Sequence, residues 1–242
     1  MSYIYGRNPV IEYLKANKKF QNVYVQKGDI KGSLKKLIDS NREIKKNIKY
    51  VDKKVLDELS NNNNHQGIVL EVKDFSYSSL EDILDNDKEN QWVIILDETT
   101  DSHNLGAIIR TSETCGAEGV IIPKRRSAEV NETVHKTSAG ATNHIKIARV
   151  TNIRDTIDKL KEEGFWIYGS SGHASDLYYD LNYSGKVCLV IGNEGKGMTR
   201  LVEENCDFLI KIPMYGKVDS LNASASAAIL MYEIVKDFNK NA

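Results

Sequence analysis

The stretch "VIGNEGKGM", which begins at Val190, is the first candidate for a binding loop. Three glycines in six residues directly follow the apolar run "VCLVI", as in loops whose bare backbone approaches a phosphate. The spacing excludes the two standard phosphate loops. Met198 stands where a Walker loop requires lysine, and Gly192, Gly195 and Gly197 give G-x-x-G-x-G, the reverse of the dinucleotide fingerprint. The bare backbone therefore predicts close contact with a ligand of another kind.

A glutamate inside this loop, Glu194, limits what that ligand can be. Its carboxylate is either a surface charge or a group directed at the site. A ligand that carries a phosphate would be repelled by the carboxylate, whereas a cationic ligand would not.

A second candidate site lies in "LDETTDSHNLGAIIRTSE", where a strand that ends at Asp97 precedes a helix. Arg110 points away from the apolar stripe of this helix. Two interpretations remain open here. Either Arg110 is an exposed cation paired with Glu113 while Asn104 caps the helix, or Arg110 is a fixed fork for a phosphate at the edge of the sheet.

A third candidate site is the segment "IPMYGKVDSLNAS", which follows the last strand. Ser220 or Asn222 is predicted to cap the final helix. That helix begins "ASASAA", so its first two turns carry almost no side-chain bulk. The small residues indicate either tight packing of the helix on the sheet or close approach of a flat ligand.

The elements around these segments predict an α/β fold with a mainly parallel sheet. The near-continuous apolar strands alternate with helices, which is typical of a parallel sheet covered on both faces. These strands are "WVIILD", "EGVIIP", "HIKIARV", "FWIYGSS", "KVCLVIG" and "DFLIKIP". Ligands of such sheets bind beyond the carboxyl ends of the strands. Because each polar segment follows a strand, we expect the three segments to share one site.

The beginning of the chain predicts a separate small α/β domain, residues 1–73. Helical patterns at "NPVIEYLKAN" and "SLKKLIDSNREIKKN" alternate with the strand-like runs "NVYVQ" and "GIVLEV". An acidic segment with only a short amphipathic patch follows and predicts a linker at 74–90. The long apolar strands then define a second domain at 91–242.

The net charge of −1 hides an asymmetry along the chain. Residues 1–50 contain twelve Lys/Arg and four Asp/Glu, so the remainder of the chain is acidic. A basic end indicates a polyanionic partner such as RNA or DNA, and a solvated helix face would account for it equally well.

Composition excludes several classes of protein. The longest apolar runs are far too short to cross a bilayer, and the amino terminus lacks the apolar core of a signal peptide, so we expect a cytoplasmic protein without membrane contact. The three cysteines are widely separated and form no C-x-x-C pair, which favours buried structural thiols. The histidines lack ligand-like spacing, so no metal is expected.

Taken in order, the three polar segments resemble the three motifs of the SpoU (TrmH-like) branch of the SPOUT superfamily, the S-adenosylmethionine-dependent RNA 2′-O-ribose methyltransferases. The matching stretches are "LDETTDSHNLGAIIRTSETCGAEGVII", "VIGNEGKGM" and "IPMYGKVDSLNASASAAILMYE". In addition, "IYGRNPVIEYL" and "HQGIVLEV" resemble the start and end of the small substrate-binding domain in members that act on a guanosine of 23S ribosomal RNA. One departure, "NASAS" in place of the more usual valine-containing "NVS", is conservative in volume.

The resemblance implies a carboxyl-terminal part threaded into a deep trefoil knot, a homodimer with the site near its interface, and S-adenosylmethionine as the cofactor. The cofactor would be held largely by main-chain groups of the loops, at positions that match Gly192, Ile212 and Leu221. The polar site residues of the family fall on Asn104, Arg110, Glu194, Ser220 and Asn222.

The resemblance also implies an in-line displacement in which the ribose 2′-oxygen attacks the methyl carbon. The family assigns activation of the hydroxyl to Arg110, yet a guanidinium stays protonated and has no lone pair with which to accept a proton. We therefore expect Arg110 to bind an RNA phosphate and to stabilise the developing alkoxide. Ser220 and Asn222 would order the third loop, and Asn104 and Glu194 would hold the other two.

Two alternatives to a ribosomal RNA methyltransferase follow from the same residues. A transfer RNA methyltransferase is disfavoured by the extra amino-terminal domain. A non-catalytic RNA-binding protein of the same fold would be expected to lose Arg110 or to fill the glycine loop with side chains, and neither change is present.

Overall fold

The computed structural model describes residues 2–15, 19–28, 32–40, 42–72, 75–84 and 88–240. The chain forms two compact units, Met1–Ser76 and Tyr77–Ala242. None of the helices in the described ranges combines the length and the apolar character that crossing a bilayer requires.

The first unit is a four-stranded sheet with helices packed on it. Its elements in chain order are β1 (Ser2–Tyr5), α1 (Arg7–Lys15), β2 (Asn22–Gln26), α2 (Ser33–Ser40), α3 (Arg42–Asn47), β3 (Ile48–Val51), α4 (Lys53–Leu59) and β4 (Ile68–Val72). The strand order is β1-β4-β2-β3, in which β4 is antiparallel to β1 and β2, while β2 and β3 are parallel. The predicted α/β character of this region is therefore confirmed.

The hydrophobic core of the first unit includes apolar side chains of β2 and α3. Val23 and Val25 alternate along β2 with outward-facing residues and pack with Ile44, which is fully buried on α3. The helical pattern predicted across residues 33–47 corresponds to α2 and α3, and residue 41 between them lies outside the described residues.

The second unit contains the remaining elements. They are α5 (Leu80–Ile83), β5 (Gln91–Leu96), α6 (Ser102–Thr114), β6 (Gly119–Pro123), α7 (Glu132–Thr137), a 3₁₀ turn (Ala141–Asn143), β7 (Lys146–Val150), α8 (Ile153–Glu162), β8 (Phe165–Ser170), β9 (Asp176–Leu177), β10 (Lys186–Ile191), α9 (Arg200–Glu203), β11 (Phe208–Lys211) and α10 (Ala223–Lys240).

The sheet of the second unit has the order β7-β6-β5-β10-β8-β11-β9, and its neighbouring strands pair in parallel. The predicted α/β class with a mainly parallel sheet is confirmed. Strand β10 lies between β5 and β8, although both precede it in the chain, so its carboxyl end at Ile191 is paired with Leu96 of β5. The trefoil knot that the resemblance implies stays a prediction.

The short helix α5 packs into the core of the second unit. Leu80 and Ile83 are buried in the same cluster as the strand residues, and a side chain at Gly119 would meet Ile83 Cδ1 at 2.7 Å. Ser79 and Asp82 cap the helix reciprocally, with Ser79 N donating to Asp82 Oδ2 at 2.8 Å. Within the range predicted as a linker, residues 77–84 thus pack on the second unit, while residues 74 and 85–87 lie outside the described residues.

The three cysteines lie in the second unit as free thiols, as their spacing predicts. Cys115 and Cys188 are buried, and Cys206 is partly buried. Burial raises the pKa of the Cys188 thiol and raises the pKa of Cys206 to about 12. Both thiols therefore stay protonated at neutral pH, which suits a packing role.

Candidate active site

The three polar segments predicted to share a site follow strands that end at one edge of the sheet. The segments begin after β5, β10 and β11; β10 pairs with both β5 and β8, and β11 pairs with β8. Because these strands are parallel, their carboxyl ends lie together, which is where open α/β sheets bind ligands.

The glycine loop after β10, residues 192–198, turns back on itself as a tight hairpin. Asn193 and Gly197 exchange two backbone hydrogen bonds, with N···O distances of 2.9 and 2.8 Å. Gly197 has a φ of +69°, which favours glycine. A Cβ on Gly192 would lie 2.2 Å from the Gly197 carbonyl carbon and 2.2 Å from Met198 N. Any side chain at position 192 would therefore clash with the backbone of the same loop where it turns back. The spacing of the glycines alone does not reveal this requirement.

The first and second segments are joined by hydrogen bonds of two polar side chains. Asn193 Nδ2 donates to the Glu98 carbonyl at 2.9 Å, and Thr199 N donates to Asp97 Oδ2 at 2.7 Å. Asp97 is almost fully buried at the end of β5. From the sequence, Asp97 was predicted only to end a strand. A carboxylate directly after a buried strand could also have indicated that hydrogen-bond donors lie next to it.

Glu194 joins all three segments through one oxygen atom. Its Oε1 accepts from Asn104 Nδ2 at 2.8 Å, from Asn222 Nδ2 at 2.5 Å and from Ala223 N at 3.2 Å. Asn222 Nδ2 also donates to Asn104 Oδ1 at 2.9 Å. We call Asn104, Glu194 and Asn222 the polar hub. Three of the predicted polar site residues, each from a different segment, are thus brought together.

The hydrogen bonds around the hub show which side chains cap α6 and α10. Asp101, not Asn104, caps α6, since its Oδ1 accepts from His103 N at 2.6 Å. Asn104 is instead the third residue of α6 and is buried. Of the two predicted caps for α10, Asn222 fulfils the role, because its Oδ1 accepts from Ser224 N at 3.0 Å.

A cavity of about 660 Å³ opens beside the hub. The predicted cofactor positions Gly192, Ile212 and Leu221 all line it, as do Glu194 and Ser220. Ser220 joins none of the bonds of the hub; its Oγ donates to Asp219 Oδ1 at 3.4 Å. Residues with small side chains at the start of α10, among them Ala223, also line the cavity and leave room for a ligand.

A polar cluster after β8 borders the same cavity through Ser171 and was missed by sequence reasoning. Ser171, which is mostly buried and lines the cavity, donates from Oγ to Glu203 Oε1 at 2.9 Å. His173 Nε2 lies 2.8 Å from the same carboxylate oxygen. The signal was the sequence "SSGH" at the end of a strand that neighbours β10.

Arg110 is set apart from the hub and the cavity. It is exposed on α6 and is not one of the residues that line the cavity. It follows Asn104 by six residues, which places it about 9 Å further along the helix and on another face. The alternative that Arg110 pairs with Glu113 is wrong, since within the described part of the chain no acidic partner contacts its side chain.

No group of three or more metal-ligating side chains occurs among the described residues. The cavity instead offers main-chain groups, apolar side chains and both signs of charge, which suits an organic ligand of mixed polarity.

Truncating the shared acceptor should loosen the site. We expect Glu194→Ala to lower the free energy of unfolding by about 1–2 kcal/mol, because the buried Asn104 amide then lacks its acceptor. Urea unfolding followed by fluorescence would measure the loss. Glu194→Gln, which keeps an oxygen at the same place, is the control, and an equal loss in both variants would argue against the hub as described.

Two family models match the chain. The model described as "SpoU rRNA Methylase family" matches residues 91–232, and the one described as "RNA 2'-O ribose methyltransferase substrate binding" matches residues 3–78. Over 240 residues the chain is 42% identical to YacO of Bacillus subtilis (strain 168), which is provisionally named a TrmH family tRNA/rRNA methyltransferase; the match covers 98% of this chain and 96% of YacO.

Solved structures resemble the chain over nearly its whole length. The SpoU methyltransferase AviRb from Streptomyces viridochromogenes, crystallised with AdoMet, matches with a TM-score of 0.70 and 21% identity, covering 98% of this chain and 90% of AviRb. An AdoMet-bound rRNA methyltransferase from Sinorhizobium meliloti matches with a TM-score of 0.67 and 25% identity, covering 97% and 87% of the two chains.

Proposed function

Because the chain belongs to the SpoU rRNA methylase family, whose members transfer a methyl group from S-adenosylmethionine to an RNA 2′-hydroxyl, we propose that its substrate is a guanosine of 23S ribosomal RNA. The chain is an enzyme, so the alternative of a non-catalytic RNA-binding protein is wrong. The observation that supports the choice of substrate is the first unit, because the family model for RNA substrate binding matches residues 3–78.

The cavity beside the hub fits S-adenosylmethionine. Its volume of about 660 Å³ falls within the range of small-molecule sites, roughly 300–1,000 Å³. When bound, the cofactor supplies a methyl group on a sulfonium centre that becomes a neutral thioether. We propose that Gly192, Ile212 and Leu221 hold it through main-chain groups. Glu194 on the cavity wall favours a cationic ligand and disfavours a phosphate.

The hub positions the walls of this cavity. We propose that Asn104 and Asn222 hold Glu194, and with it the glycine loop, in the conformation that the cofactor requires. Ser220, exposed on the wall, would contact the cofactor or the ribose. These are positioning roles, because a displaced loop would misalign the reacting atoms.

Arg110 is the proposed catalytic residue. Its guanidinium is exposed and has no acidic partner in the described part of the chain, so it is available for an RNA phosphate and for the alkoxide that develops at the 2′-oxygen. It cannot accept the proton, which would leave to phosphate or water.

A homodimer would reconcile the position of Arg110 with this role. Since Arg110 does not line the cavity of its own chain, we propose that it faces the cavity of a second copy. The surface beside it supports this arrangement: α10 packs on α6, and Tyr232 of α10 remains 55% exposed although it is large and aromatic.

The first unit carries a basic cavity suited to RNA. This cavity, about 830 Å³, is lined by three cations, Lys27, Lys53 and Arg7, by one carboxylate, Asp57, and by the asparagine-rich turn before β4. His65 within the turn is buried, and it accepts from Gly67 N at 2.9 Å. Arg7 Nε donates to the Gln66 carbonyl at 3.1 Å and so holds the turn in place.

Removing two of these cations should weaken substrate binding without affecting chemistry. We expect Lys27→Ala/Lys53→Ala to raise the KM for RNA roughly tenfold, because two phosphate contacts are lost, while kcat stays within about twofold. Lys35→Ala/Lys36→Ala on α2, where both lysines are also exposed, is the matched control. Steady-state methyl transfer at fixed ionic strength measures both pairs, and equal effects would mean that general charge, not the cavity, binds the RNA.

The proposed substrate can be tested by mapping ribose methylation. Mass spectrometry of ribosomal and transfer RNA from cells with and without the gene should show one 2′-O-methylguanosine missing from 23S ribosomal RNA. Purified enzyme should restore it in vitro. A missing methyl group in transfer RNA, with ribosomal RNA unchanged, would overturn the choice of substrate and leave the reaction class intact.

A further inference from the structure

A run of three cations follows β6 at the edge of the sheet that carries the active site. We call Lys124, Arg125 and Arg126 the basic turn; all three are exposed. Strand β6 pairs in parallel with β5, so the basic turn and the first polar segment leave the same edge. Lys124 N donates to the Val150 carbonyl at 2.8 Å, which continues the pairing with β7.

Side chains of neighbouring residues hold the basic turn in place. Arg149 donates from Nη2 to the Lys124 carbonyl and to Glu129 Oε1, both at 3.0 Å. The Arg149 guanidinium lies 5.0 Å from the centre of the Tyr77 ring, and Tyr77 Oη accepts from Val130 N at 2.9 Å. Both ends of the segment 124–130 are therefore fixed.

The basic turn is also fastened to the first polar segment. Arg126 Nη1 donates to Glu98 Oε1 at 3.0 Å, and Ala128 N donates to the Thr99 carbonyl at 2.8 Å. Arg126 and Glu98 have φ values of +57° and +60°, which side-chain-bearing residues rarely adopt and which persist only where contacts enforce them. Because Asn193 holds the Glu98 carbonyl, the basic turn, the first segment and the glycine loop form one connected edge.

Although the backbone of the basic turn is held in place, the charges of Lys124 and Arg125 form no ion pair within the described residues. Arg126 is paired with Glu98, whereas no acidic side chain in the described ranges contacts Lys124 Nζ or the Arg125 guanidinium. Two unpaired cations on a rigid support, beside loops that hold a methyl donor, suit a polyanion that must be placed accurately.

We propose that Lys124 and Arg125 bind phosphates of the RNA strand next to the nucleotide that is methylated. This inference rests on the proposed function and deepens it, since it assigns the methyltransferase unit a strand contact of its own. Contacts to phosphate fix the register of the strand and read no sequence, so they would set which ribose reaches the cofactor without choosing the base.

The test uses the full-length protein and filter binding to two RNAs, an unmodified 23S ribosomal RNA transcript and a transfer RNA, across a series of salt concentrations. For the RNA that wild type binds more tightly, Lys124→Ala/Arg125→Ala should weaken affinity roughly tenfold at 0.1 M salt. The slope of log affinity against log salt should fall by about two. The Kd for S-adenosylmethionine and the unfolding midpoint should not change.

Two controls separate phosphate binding from general charge and from folding. Lys124→Arg/Arg125→Lys should keep the wild-type slope. Arg154→Ala/Lys159→Ala removes two exposed cations from α8 of the same unit and should also keep it. An unchanged slope in the alanine pair at the turn, or an equal drop in the α8 pair, would overturn the inference. Because binding is measured without turnover, failure of wild type to methylate 23S ribosomal RNA would count against the proposed function alone.

Discussion

Arg110→Ala is expected to lower kcat by about two to three orders of magnitude while leaving the Kd for S-adenosylmethionine unchanged. The magnitude is that of removing one positioned group that stabilises developing negative charge. Cofactor binding should persist because Arg110 does not line the cavity of its own chain. Single-turnover methyl transfer with saturating RNA, together with calorimetry of cofactor binding, would measure the two quantities separately.

The control for this prediction is Glu113→Ala, which changes a neighbouring exposed residue of α6 and should leave kcat within about twofold. Arg110→Lys should recover little activity, because a point charge does not reproduce the planar fork of the guanidinium. If Arg110→Ala transferred methyl groups at a near-normal rate while it bound both substrates, the catalytic assignment would be wrong.

Gly192→Ala should weaken the binding of S-adenosylmethionine at least about a hundredfold. The added Cβ would lie 2.2 Å from backbone atoms of Gly197 and Met198, so the returning arm of the glycine loop must move. Overpacking against backbone costs about 1–3 kcal/mol, and we expect the free energy of unfolding to fall by that amount. Calorimetry with the cofactor and urea unfolding of the same variant would measure both effects.

The matched control lies three residues away in the same loop. A Cβ on Gly195 would meet only Asn193 Oδ1, at 3.7 Å, and Gly195 has no left-handed φ. Gly195→Ala should therefore keep cofactor affinity within a few fold. Equal losses in the two variants would show that the loop needs flexibility at every glycine, contrary to the specific role of Gly192.

These two variants also test the proposed homodimer when they are combined. If Arg110 of one copy serves the cavity of the other, mixing inactive Arg110→Ala with inactive Gly192→Ala should restore roughly a quarter of wild-type activity, from the single intact site of each mixed dimer. If Arg110 serves its own chain, no mixture contains an intact site, and activity stays at the level of the single variants.

The sequence predicted most of the fold because long apolar strands leave a strong pattern. Strand β2 has the predicted bounds, and the strands of the second unit from β5 to β11 were anticipated except for β9. The strands that were not predicted are short and lie at sheet edges: β9 has two residues, and β1 and β3 have four each, with Lys49 and Tyr50 of β3 exposed. None of them can show a clear alternation, because an edge strand has fewer neighbours to bury it.

The sequence predicted which residues belong to the site, but it did not predict which of them contact one another. Asn104, Glu194 and Asn222 could be singled out from their segments, yet their bonds join residues 90 and 118 positions apart. Only the insertion of β10 between β5 and β8 brings them together, and no local pattern encodes a strand order. The requirement at Gly192 was hidden for a similar reason, since the clash is with a backbone that returns five residues later.

The single oxygen of Glu194 that accepts three hydrogen bonds has a consequence for how the site opens. Segments that share one acceptor lose their hydrogen bonds together, because a movement of Glu194 removes the acceptor of Asn104, Asn222 and Ala223 at once. The amides of the three loops should therefore exchange with solvent deuterium as one cooperative unit, at a common opening free energy. A bound cofactor would then slow exchange in α6 and at the start of α10 as much as in the glycine loop itself.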